Sequence, residues 1–170
     1  MNIREIQPNE YPLLDNFLYD AIFIPEGIAP PPIDIIQLPE LQHYILNFGT
    51  QKDDFCLVAE IDKKPIGAVW VRIMNDYGHV DEQTPSLSIS VKKEYRKKGI
   101  GTTLMKQMLF YLQQKGYHQV SLSVQKANYA CKMYLKLGFE IVKINQEDYI
   151  MVYHFSIKTP HLNKFLRPKM

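Results

Sequence analysis

The stretch Glu94–Leu109, EYRKKGIGTTLMKQML, sets Arg96, Lys97 and Lys98 beside Gly99 and Gly101, directly ahead of an apolar helical pattern. A helix start leaves its first N–H groups without partners and carries a partial positive charge, so it attracts anions. Gly99 and Gly101 keep Cβ atoms away from the main chain, and Lys92, Lys93, Lys97 and Lys98 surround it with compact cations. The chemistry this favours is capture of a phosphate. Two familiar phosphate loops fail on spacing. A dinucleotide fingerprint needs a third glycine where Leu104 stands, and a P-loop needs lysine where Thr102 stands. The competing structural explanation is an ordinary helix start with a solvated basic face.

Other chemistry is sparse. Cys56 and Cys131 form no CxxC pair and have no histidine close by to complete a metal site, so no metal is expected. Two reduced thiols suit a cytoplasmic protein. His43, His118, His154 and His161 are isolated. A net charge of +2 on 170 residues gives no ground for nucleic acid or a membrane as partner. The amino terminus lacks a signal-peptide core, and no apolar run approaches the roughly 18 residues of a membrane span.

The elements that must position the glycine loop follow from periodicity. Ile3 and Ile6 suggest an edge strand, and Tyr11, Leu14, Phe17 and Leu18 predict a helix over Glu10–Asp20. Five prolines between Pro25 and Pro39 exclude continuous helix, leaving an irregular loop and a second helix over Pro39–Phe48. Phe55–Ile61 and Ile66–Met74 read as a hairpin around DKKP, and Leu87–Val91 as a third strand. The helix after the glycine loop runs to Lys115 and stops at Gly116. Strand Val120–Val124, helix Ala127–Leu137, and a hairpin of Phe139–Ile144 with Tyr149–Phe155 complete the pattern. Strand, helix and strand in this order make a βαβ unit, so Leu87–Val91 and Val120–Val124 run parallel. The expected fold is a single mixed α/β domain of six to seven strands over residues 1–156, antiparallel first and parallel in the middle. Residues 157–170 form a basic C-terminal extension.

Two motifs together resemble the GNAT superfamily of N-acetyltransferases. SISVKKEYRKKGIGTTLM matches that family's strand, its Arg-x-x-Gly-x-Gly loop and the helix behind it. SLSVQKANYACKMYLKLGFE matches a second motif at Asn128, Ala130, Tyr134, Gly138 and Phe139. The resemblance covers about Leu87 to Glu140. It implies a central parallel pair that splays apart, and acetyl-CoA as co-substrate. Main-chain groups of Lys97, Lys98, Gly99, Ile100, Gly101 and Thr102 would then meet the diphosphate, with Arg96 shaping the loop. The strand Ile89, Ser90, Val91 would offer backbone hydrogen bonds to the pantetheine arm and the acetyl carbonyl.

The same resemblance implies Tyr134 as the catalytic acid at the leaving thiolate; the alternative is a core tyrosine packed behind Ala130. Asn128 either contacts the coenzyme or caps its helix. For a general base the sequence offers Glu82, Asp81, His79 or water. The resemblance places the acceptor between Ile22–Leu38 and the loop Asn75–Thr84, where Asp76, Asp81 and Glu82 suit a cationic small-molecule or peptide amine. Two other readings stay open: a non-catalytic acyl-CoA-binding module, and a nucleic-acid binder using Lys92–Lys98. A homodimer is left open.

Overall fold

The computed structural model of the protein describes residues 1–156; the expected basic extension lies outside the described residues. The strands are β1 Asn2–Glu5, β2 Phe55–Ile61, β3 Lys64–Arg72, β4 Ser86–Val91, β5 Gln119–Gln125, β6 Glu140–Ile144 and β7 Asp148–His154. The helices are α1 Leu14–Ala21, α2 Pro39–Gln42, α3 Ile100–Lys115 and α4 Ala130–Leu137. All seven strands join one sheet in the order β1-β2-β3-β4-β5-β7-β6. Among the described residues only β4 and β5 run parallel, as a βαβ unit through α3 requires.

Alternation along the strands divides the apolar residues between two faces. Leu57, Val69, Val71, Leu87, Val120 and Leu122 pack with Leu104, Met105, Met108 and Leu112 of α3. Cys56, Val58, Ala68 and Trp70 meet Leu14, Phe17 and Leu18 of α1 on the opposite face. The β2–β3 hairpin closes through Asp62 (φ 49°) and Lys63 (φ 62°). Two successive left-handed residues give the twist that a tight antiparallel connection needs.

The structure departs from the expected elements in three places. The first helix does not run from Glu10: Pro12 lacks an N–H, and the chain makes a 3-10 turn over Pro8–Leu13 before α1 begins. The second helix is confined to Pro39–Gln42 instead of reaching Phe48. Carbonyls that would extend it are taken by side chains from β3. Trp70 Nε1 donates to Tyr44 O at 3.2 Å, and Arg72 Nη1 to His43 O and Leu46 O at 3.1 and 2.7 Å. The third departure is α4, which begins at Ala130 and not Ala127 because the Asn128 side chain takes the Ala130 N–H at 2.9 Å.

Arg72 is itself fixed by Asp54, with Nε–Oδ1 2.8 Å and Nη2–Oδ2 2.9 Å. Both side chains are sealed from solvent, at 3% and 0% exposure. A bidentate pair in that setting satisfies both charges and fixes the Tyr44 segment onto the sheet. Removing one partner leaves an uncompensated buried charge, so Asp54→Ala is expected to cost about 3–5 kcal/mol in urea unfolding. At the other end of the sheet, Arg4 bridges Glu10 at 2.7 Å and Glu60 at 2.6 Å. The Arg4 hydrogen bonds pull the Glu10 carboxyl from 4.5 down to about 2. A depressed carboxyl contributes stability above its unfolded pKa and loses it as pH falls through the folded one. Unfolding measured between pH 5 and pH 2 should therefore show a decline that is shallower in Glu10→Gln.

Candidate active site

Arg96 is extended, after which Lys97 (φ 60°) and Gly99 (φ 80°) turn left-handed to open α3. Only glycine takes that conformation without strain at Gly99. Among the described residues, the main-chain N–H groups of Lys97, Lys98, Gly99, Ile100, Gly101 and Thr102 donate to no protein acceptor. The first helical bond is Thr103 N to Gly99 O at 3.1 Å, seconded by Thr103 Oγ1 at 3.0 Å. Six successive free amides in a left-handed turn at a helix mouth make a concave anion cradle. A Cβ at Gly99 would meet nothing within 4 Å, and one at Gly101 only Met133 Sδ at 3.9 Å and Val91 Cγ2 at 4.0 Å. That space fits a diphosphate approaching the amides. Ile100 contributes its amide alone, since its side chain is buried in the core. Lys97 and Lys98 are exposed, and Lys98 Nζ lies 5.5 Å above the Tyr95 ring.

β4 and β5 meet at a single register position, Ser86 opposite Ser121. Beyond it they separate. Lys92 N donates to Ile66 O at 2.9 Å, so by strand alternation the Ser88 and Ser90 amides also face β3. The amides of Ile89 and Val91 therefore face the gap. On the other side Ser121 N reaches Pro85 O at 3.0 Å, which turns Ser123 and Gln125 toward the gap by the same alternation. Ser90 is thus not among the groups brought to the split. Its backbone serves the ladder, and its hydroxyl donates to Phe17 O at 2.8 Å. Arg96 acts as a strut: Nε donates to Val91 O at 2.8 Å and Nη2 to Asp20 O at 3.0 Å.

Tyr134 lies on α4, its ring packed 5.7 Å from Phe139 and the residue only 7% exposed. Its hydroxyl makes no hydrogen bond among the described residues, yet no fully sealed side-chain oxygen lacks a partner there. The ring is core, and the hydroxyl oxygen is not wholly sealed. Burial pushes the phenol above its ordinary pKa, with the neighbouring Cys131 thiol adding to the shift. Asn128 spends its carbonyl oxygen on the Ala130 amide, as a cap does.

The loop ahead of β4 separates its acidic residues. Asp81 holds Gln83 N and Thr84 Oγ1 at 2.8 Å, bonds that keep its carboxyl below the usual range, and it meets Gln119 at the start of β5. His79 Nδ1 pairs with Met74 O at 2.9 Å and its Nε2 faces Glu82, which is 89% exposed. Asp76, in contrast, accepts the Ser86 hydroxyl at 2.7 Å, at the register position where the strands part. The sequence groups Asp76 with Asp81 and Glu82 as charge suited to a cationic amine and gives no role to Tyr44, which lies near it. The Asp-x-x-x-x-x-x-x-x-x-Ser spacing carries no local signal that could have joined them.

Among the described residues, no helix is long and apolar enough to cross a membrane. An N-alpha-acetyltransferase from Saccharolobus solfataricus is 34% identical over 96 residues, covering 51% of this chain and 57% of that protein. A probable N-acetyltransferase, camello, from Xenopus laevis is 32% identical over 100 residues, covering 56% and 43% respectively. The chain thus spans about half the length of these curated relatives. The same fold occurs in the crystal structure of a PaiA N-acetyltransferase from Thermoplasma acidophilum in complex with coenzyme A. The TM-score is 0.68 at 22% identity, over 91% of this chain and 98% of that one. The profile of the Acetyltransferase (GNAT) family matches residues 21–139, which carry α2 through α4 with both the cradle and the split, and the protein belongs to that family.

Proposed function

We propose that the protein is an acetyl-CoA-dependent N-acetyltransferase that acetylates a primary amine of a small molecule or peptide by direct attack in a ternary complex. The observation that carries this is the run of six unpartnered amides, Lys97 to Thr102, beside an open strand pair. Family membership and the coenzyme A bound by the Thermoplasma acidophilum relative support it. When bound, the coenzyme supplies the acetyl thioester.

The rest is work for this chain. The α3 cradle holds the diphosphate, with Lys97 and Lys98 screening its remaining charge. Ile89 and Val91 present N–H groups into the gap, where one can donate to the acetyl oxygen as it gains charge. Tyr134 gives its phenolic proton to the departing sulfur and takes back the proton that the attacking nitrogen sheds, so no buried phenolate persists. Two unbridged cysteines, Cys56 buried and Cys131 half-buried, fit a reducing cytoplasm.

Release of free thiol from acetyl-CoA over a panel of amines tests the reading. Turnover that depends on one class of amine is expected. A rise in melting temperature with acetyl-CoA and no turnover with any amine would instead identify a non-catalytic binder. Tyr134→Phe should lower kcat by about a hundredfold while leaving the KM for acetyl-CoA close to wild type. Its melting temperature should hardly move, since no hydrogen bond within the described residues is lost. Gly101→Leu should improve helix propensity yet fill the space between Met133 and Val91. Calorimetry should show coenzyme A affinity reduced at least about tenfold, against unchanged or raised thermal stability.

A further inference from the structure

The two edges of the sheet differ in how they meet solvent. β1 is four residues long and half-buried at its centre, and its Arg4 is tied to Glu10 and Glu60. At the other edge β6 bonds only to β7 among the described residues. All five of its residues are exposed, the apolar Ile141, Val142 and Ile144 included. An apolar edge strand with unpaired main-chain groups is a template for another strand.

A bulge decides what that template fits. Ile141 pairs with Met151 and Lys143 with Ile150, so Val142 is the extra residue. In a regular strand Glu140 and Lys143 would stand on opposite faces. Here they pair with Val152 and Ile150, two residues apart on β7, and so share one face. Ile141 and Ile144, opposite Met151 and Tyr149, share the other. The ladder begins where Asn145 N donates to Asp148 O at 2.9 Å, so by alternation along β7 the rungs at Lys143 and Glu140 bond inward. The rungs at Ile141 and Ile144 then turn their N–H and C=O groups outward.

A second β6, run antiparallel about a two-fold axis at Ile141, matches each of these features. Ile141 meets its own counterpart there and exchanges two main-chain bonds with it. On either side Glu140 stands opposite Lys143 of the second copy, on the same face and at the closer spacing of a non-hydrogen-bonded pair. The bulged sequence Glu-Ile-Val-Lys is therefore complementary to itself in charge as well as in hydrogen bonding. We propose that β6 is a homodimer interface, where a second copy of this chain adds its own β6 antiparallel and two reciprocal Glu140–Lys143 pairs set the register. The two seven-stranded sheets then join into one.

Sedimentation velocity and amide hydrogen exchange test the proposal. Wild type should sediment as a dimer at micromolar concentration, with the Ile141 and Ile144 amides protected. Glu140→Lys and Lys143→Glu each set like charges opposite one another twice, and each should raise the dissociation constant at least about tenfold. An equimolar mixture of the two variants should recover the dimer, because every cross-strand pair then carries one charge of each sign. Both side chains are exposed, and a near-ultraviolet circular dichroism spectrum like that of wild type shows that each variant is folded. A monomeric wild type, a dimer indifferent to either reversal, or a mixture that stays monomeric would each overturn the proposal. So would a monomer whose Ile141 and Ile144 amides are protected, since another part of the same chain would then cover β6.

Discussion

The structure depends on β4 and β5 being joined once and then kept apart. A parallel pair with free edges would zip, because each added bond satisfies two buried polar groups. Here the protein occupies the groups that zipping would use. Val91 O, which faces the gap, receives Arg96 Nε, and Gln125 O at the end of β5 receives Asn128 N at 2.9 Å and the Cys131 thiol at 3.4 Å. Both carbonyls are satisfied inside the chain, so closing the strands would exchange bonds instead of gaining them. The amides of Ile89 and Val91 stay open to the gap. Arg96, conspicuous in the sequence as charge, therefore serves as geometry, and its second contact, to Asp20 O, ties the same turn to the end of α1.

A second network fixes the opposite face. Asp54 and Arg72 form the buried ion pair, Arg72 takes the carbonyls of His43 and Leu46, and Trp70 takes that of Tyr44. These bonds end α2 after Gln42 and set a tyrosine against the loop that leads into β4. A short helix followed by side-chain-bonded carbonyls looks irregular. Its effect is to place a polar group with the precision of the sheet from which the clamps project. The two networks meet at Ser86, where Asp76 receives the hydroxyl of the residue that closes the strand pair.

How far the sequence disclosed this follows from the range of each interaction. The turn around Gly99, the stop at Gly116, the alternation of Val120, Leu122 and Val124, and the parallel βαβ unit are encoded within a few residues and were legible. The cradle was legible for the same reason, as free amides follow from a helix start and two glycines. What escaped depends on distant partners. Arg72 ends a strand and reads locally as a surface residue, but its contacts lie 18 to 29 positions away, and they shorten α2. Pro12 was visible, yet whether it sits inside a helix or in a 3-10 lead-in depends on how Leu14, Phe17 and Leu18 meet the sheet. Ser90 was grouped with Ile89 and Val91 as one run, although strand alternation alone turns its backbone the other way.

That alternation also explains the composition of β4, Ser-Leu-Ser-Ile-Ser-Val. Leu87, Ile89 and Val91 pack toward α3, so the three serines share the face covered by α1 and the loop ahead of β4. Aliphatic side chains there would bury more surface but could hold nothing. Serines act as fasteners: Ser90 binds Phe17 O of α1, Ser86 binds Asp76, and across the gap Ser121 binds Gly78 O and Ser123 binds Asp148. Each hydroxyl secures a covering element or a carboxylate at a fixed height above the sheet, and each is satisfied by doing so. Ser88, between two fastened serines and next to the Ile89 amide, donates to nothing among the described residues and is only half-buried. On a face where every neighbouring hydroxyl has a structural partner, the one without a partner among the described residues lies where the two strands have parted.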